Sequence, residues 1–154
     1  MITSPSCSQL IESVRGELTN KIQLVVTDKE ALATLGMIDS ILAGVAVRSE
    51  HEVAWIREEI AEIERGAEAV ITASADKSGQ ISAALKTLRA HRSPSDHITD
   101  LNAEYRLAGE VLSCSIEAAM TGGNGLRKLV TDILAKRTAR EVHIRGKFSL
   151  AGRS

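Results

Sequence analysis

The stretch ALATLGMIDSILAGVAVRSEHEVAWIREEIAEIE, residues 31–64, decides the fold. Its apolar residues Leu35, Ile38, Leu42, Val45, Ile56, Ile60 and Ile63 recur at steps of three and four over most of the run. That is the period of a helix stripe and not of a strand. No proline interrupts it. As one helix of about 34 residues it would span roughly 50 Å, against a radius of gyration near 15 Å for a compact chain of this length. Its first half is apolar nearly all round, and Ala43, Gly44 and Ala46 allow a neighbour to approach closely. In its second half Ser49 and Glu52 fall where the stripe calls for apolar residues. There Glu50, Glu52, Glu58, Glu59, Glu62 and Glu64 face only Arg48, Arg57 and Arg65. The reading is a rod whose apolar end enters the core and whose acidic end meets water or another surface.

The flanking segments read as further helices. Ser6 and Gln9 form a capping box ahead of Leu10, Ile11, Val14 and Leu18. The sequence leaves open whether that helix reaches Val26. Thr27 and Glu30 repeat the capping signature and start the long helix, with Asp28 in its first turn. Gly66 reads as a break or kink, with Val70 and Ile71 adding about two turns beyond it. Asp76 to Gln80 is a turn in which Asp76 or Ser78 caps a helix carrying Ile81, Ala84, Leu85 and Leu88. Pro94 closes that segment. A fourth helix starts near Ser95 and carries Ile98, Leu101, Tyr105, Ala108, Leu112 and Ala119. Thr121 to Gly125 stops it, and Leu126, Leu129, Val130, Ile133 and Leu134 mark a fifth. From Glu141 the pattern fails. The expected fold is all-α: an elongated antiparallel bundle of four to five helices in a single domain, residues 1–154. One long central helix runs over about 28–64, and a basic tail follows about residue 141.

Composition narrows the function. The chain has 154 residues, 44% hydrophobic but only 2% aromatic: Trp55, Tyr105 and Phe148. Ala, Leu, Ile and Val suit helix packing and supply little for aromatic-lined pockets or base stacking. Residues 1–120 hold 11 Lys/Arg against 18 Asp/Glu, a net −7, and residues 121–154 hold 8 against 2, a net +6. The basic segment is expected to lie on the chain's own acidic face or on that of a second copy. Its run Lys136, Arg137, Arg140, Arg145 and Lys147 has one aromatic, Phe148, and no DNA-reading motif, so nucleic acid is not favoured. Two distant cysteines, Cys7 and Cys114, make no disulfide framework, and Met1 to Leu10 lacks the apolar core of a secretion signal. Both fit a cytoplasmic protein. The most apolar run, Ala31 to Val47, contains Asp39 and Ser40. It reads as a buried central helix and not as a membrane span.

Two constellations stand out. Glu50-His51-Glu52, with Arg48 and Trp55 one turn to either side, is a polar or interface patch. It lacks the Glu-x-x-His pairs of a di-metal bundle and the second histidine of a zinc protease, so no metal or other cofactor is implied. Gly123, Asn124 and Gly125, followed by Arg127 and Lys128, place backbone N–H groups and two cations at a helix start, where a phosphate or carboxylate would sit. The plain alternative is a C-cap and turn. His91, His97 and His143 read as surface or capping residues, and Cys114 has no histidine near it in sequence.

Ser8 to Leu18, Thr27-Asp28, Leu35 to Leu42 and Val45 to Trp55 together resemble a family of small helical bacterial proteins of unknown function. Those proteins are often encoded beside acyl-CoA dehydrogenase-like and aminoglycoside phosphotransferase-like genes. The resemblance covers roughly residues 8–64 and implies no active-site residue. Taken together, the expectation is a non-catalytic helical interaction or accessory protein, a homodimer or bound to another protein. In such a dimer the basic fifth helix of one copy would meet the acidic half of the long helix of the other. The alternative is a binder of a small molecule, such as an acyl-CoA or phosphate-bearing ligand, in a groove between helices.

Overall fold

The computed structural model describes residues 4–73 and 75–145. Six α-helices account for most of them: α1 Cys7–Glu17, α2 Gln23–Val25, α3 Lys29–Thr72, α4 Gln80–Ala90, α5 Ile98–Thr121 and α6 Asn124–Arg145. A π-helical turn, Leu18–Ile22, joins α1 to α2, so the first segment does run on to Val25. No strand occurs among the described residues. The chain is an all-α helical bundle with one long helix.

The starts of the helices follow local chemistry. Ser6 and Gln9 form the expected capping box, Gln9 N–H donating to Ser6 Oγ and Ser6 N–H to Gln9 Oε1. Asp28, and not Thr27, caps α3 by accepting the Ala31 N–H at 2.8 Å. Asp76 is the acceptor for α4, taking the N–H groups of Ile81 and Ser82 and the Ser82 hydroxyl. Gly79, in the left-handed region at φ 71°, makes the turn between them. Those bonds, the Ser82 hydroxyl foremost, hold the Asp76 carboxyl below its usual pKa.

Two compact units divide the chain, one formed by the residues up to Glu52 with those from Ala139, the other by Val53–Thr138. The second is a four-helix bundle running up, down, up, down. Arg89 of α4 and Arg92, two residues past its end, pair with Glu68 and Glu64 of α3, which sets those helices antiparallel. Lys136 meets Glu62, and Ile133 lies over Gly66, so α6 also descends along α3. Arg57 meets Glu104 near the start of α5, while Thr121 at its end lines a hollow with Ala75 to Ile81, so α5 runs parallel to α3. Ile60, Ile63, Ala67 and Val70 of α3, Ile81, Leu85 and Leu88 of α4, Ala108, Val111 and Leu112 of α5 and Ile133 of α6 form the core.

Three expectations are corrected here. The acidic half of the long helix is the half that builds the core, because its carboxylates find cations on α4 and α6. Its apolar half, in the other unit, contributes one fully buried residue, Ala46. Gly66 does not break the helix, which continues to Thr72. A Cβ there would stand 2.8 Å from Ile133 Cδ1, so the glycine serves close approach of α3 and α6. Finally, α6 continues past Glu141 to Arg145. The rest of the basic tail, with Lys147 and Phe148, lies outside the described residues.

Candidate functional site

Within the four-helix unit the charged side chains form a connected layer. Glu104 is 2% exposed, and Arg57 donates to its Oε2 at 3.2 Å. Arg57 also donates to the carbonyls of Ser93 and Ser95, tying the segment between α4 and α5 to α3. The Ser93 N–H bonds Glu104 as well. Buried Glu59 accepts the Tyr105 hydroxyl at 2.7 Å, and the Arg137 guanidinium lies 5.8 Å from the Tyr105 ring centre and 3.7 Å from the same carboxylate. Burying ions this far is tolerable only with such full hydrogen bonding. The pairs are mutually satisfied, and the layer positions helices; it presents no nucleophile beside a base. The basic part of α6 thus lies on this chain's own acidic face through Lys136 and Arg137.

The glycine-rich turn is equally self-sufficient. Only Gly122 and Gly123 separate α5 from α6. Arg127 donates to the Met120 carbonyl at 2.8 Å, so its charge rests on the C-terminal end of α5. Gly123 accepts from the N–H groups of Leu126 and Arg127. Gly123, Asn124, Gly125, Arg127 and Lys128 are all exposed. A Cβ on Gly123 or Gly125 would meet nothing within 4 Å. The turn needs glycine at Gly122 for space, with Leu126 Cδ1 3.0 Å from a Cβ there, and not for a positive φ.

The polar patch is divided by its surroundings. Arg48 pairs with Glu52 along the helix. His51 stacks edge-to-face on His143, ring centres 6.2 Å apart, and its Nε2 lies 3.9 Å from exposed Glu50. Trp55 is half-buried and belongs to the four-helix unit. Among the described residues no group of three or more His, Cys, Asp or Glu side chains is placed to hold a metal ion. No family model, curated protein or solved structure matches the chain.

What remains is a surface that the sequence reading took for core. On α3, Leu32, Leu35, Leu42 and Ala46 lie on the side of Asp39, and Arg15 of α1 grips Asp39 with two bonds of 2.8 and 3.1 Å. That grip, reinforced by Glu12, raises the Arg15 pKa above its ordinary value. Between the side held by α1 and the side where Ile144 meets Gly44, α3 presents an exposed apolar strip among the described residues: Met37 is 63% exposed, Ile41 60%, Val45 43% and Ile38 39%. In the most apolar 18-residue window of α3 only 6% of the residues are buried. A hollow of about 330 Å³, lined by Val45, Arg48, Ser49 and Glu52, continues the same side. Met37 and Ile41 were absent from the stripe read in sequence, yet the signal was there. Ile38, Ile41, Val45, Arg48 and Glu52 follow the alternating three–four spacing of a coiled-coil seam.

Proposed function

We propose that this is a non-catalytic helical interaction protein of the bacterial cytoplasm, acting through the bare apolar side of α3 between Thr34 and Val45. The observation that supports the reading is the exposure of Met37, Ile38, Ile41 and Val45 on one helix face. Contiguous apolar surface of this kind marks protein or membrane contact. By length and composition α3 would also suffice to cross a membrane. A protein partner is favoured because Asp39 sits in the middle of that run, ion-paired to Arg15, and Arg15 holds Glu12 too. Three charges at that depth are costly in hydrocarbon.

The reading is tested by comparing wild type with a Met37→Glu/Ile41→Glu variant, by light scattering of the pure protein and by pull-down from native lysate. Wild type should carry a partner, itself or another protein, that the variant loses. A monomeric wild type that retains nothing more than the variant does would contradict it.

A second reading rests on a groove of about 500 Å³ between α3 and α6, lined by Glu62, Arg65, Gly66, Leu129, Asp132 and Ile133 among others. Its size suits a small molecule. The family resemblance to proteins encoded near acyl-CoA dehydrogenase-like genes makes acyl-CoA thioesters the first probes. Lys136 in that groove is already bonded to Glu62 at 2.7 Å, which weakens its hold on a phosphate. A concentration-dependent rise in Tm with an acyl-CoA thioester supports this reading, and no rise counts against it.

A further inference from the structure

We infer that the occupant of the bare side of α3 is a second copy of this chain, packed antiparallel about a two-fold axis. The inference rests on the interaction reading above and names its partner. The seam is its own complement. Along it lie Glu30, Thr34, Ile38, Ile41, Val45 and Arg48, all exposed. Glu30 closes one end of the apolar row, and the Arg48–Glu52 pair closes the other. In an antiparallel pair, layers form between the two kinds of seam position. Ile38 then faces Ile41 of the partner subunit and Thr34 faces Val45 of the partner subunit; Ala31 falls level with Arg48 of the partner subunit, which leaves Glu30 one residue away from that level. The hollow beside Val45 and Arg48 receives the first turn of the partner's α3.

A two-fold contact requires each residue pair to occur twice, and this register twice brings Glu30 within one residue of the level of Arg48 of the partner subunit, within reach of a guanidinium that also holds Glu52 of its own helix. A parallel in-register pair would set Glu30 on Glu30 and Arg48 on Arg48, which like charge disfavours. The seam from residue 30 to residue 48 is about 27 Å long, a length over which a helix pair makes several layers. This contact differs from the expected one: the acidic part of α3 beyond Glu52 already has its cations from Arg89 of α4, from Arg92 and from Lys136 of α6.

The test uses the full chain with Cys7 and Cys114 replaced by serine. Thr34→Cys with Val45→Cys in one chain should oxidise to a covalent dimer, because the two positions are about 16 Å apart within a chain and adjacent across the seam. Either cysteine alone should give none. Glu30→Arg and Arg48→Glu should each weaken self-association by about tenfold, and the two together should restore it. Circular dichroism shows that each variant remains helical.

Dimers cross-linked through either single cysteine would overturn the antiparallel register. So would a dimer that the charge reversals leave unchanged. A wild type that stays monomeric while capturing another protein, or while floating with anionic vesicles, would overturn self-pairing. The protein-capture result would leave the interaction reading standing; the vesicle result would not.

Discussion

Arg57 and Glu104 show what a buried charge asks of its surroundings. Glu104 is reached by Arg57, by the Ser93 N–H and, at 3.9 Å, by Arg92. Arg57→Ala strands most of that charge and should cost about 3 kcal/mol. For a chain of this size that is a fall in Tm of about 6–12 °C. Replacing both partners by apolar residues should cost less than the sum of the single changes, measured by a double-mutant cycle. Asp76 makes a smaller case with a pH signature. Its carboxyl is held below the ordinary value, so its contribution is present above that value and is lost as pH falls through the folded one. Asp76→Ala should therefore cost about 1 kcal/mol at neutral pH, with the gap in Tm from wild type narrowing in strong acid.

At the scale of elements, α3 is where sequence and structure part company. The three–four period announced a long helix, and Ser6, Gln9, Asp28 and Asp76 announced where helices begin. The period says that a stripe exists and is silent about what covers it. Glu62 and Glu64 looked solvated because their cations lie far along the chain, 74 and 28 residues away at Lys136 and Arg92. The glycine–cation turn looked like an anion site because the carbonyl of Met120, which takes the Arg127 charge, belongs to the preceding helix. Glycines tell the same story. Gly109, in the interior of α5 with nothing within 4 Å of a Cβ, gains from Gly109→Ala by about 0.5–1 kcal/mol. Gly66→Leu should lose about 1–3 kcal/mol by driving Ile133 away. Thermal melts of the two variants should move in opposite directions.

Across the whole molecule, burial follows partners more than hydropathy. The charge-rich region from Val53 to Thr138 supplies its own counter-charges and encloses a core; among the described residues the other region, richer in exposed Ile, Val and Met, buries little beyond Ala46. An exposed apolar helix face is the feature on which the proposed interaction role rests. Amide hydrogen exchange along α3, followed over a range of protein concentrations, tests that claim most directly. Amides around Ile60 to Val70 should exchange slowly at every concentration, and those around Thr34 to Val45 should become slower as concentration rises. Amides at Thr34 to Val45 that are as slow as those of the core and indifferent to dilution would contradict it.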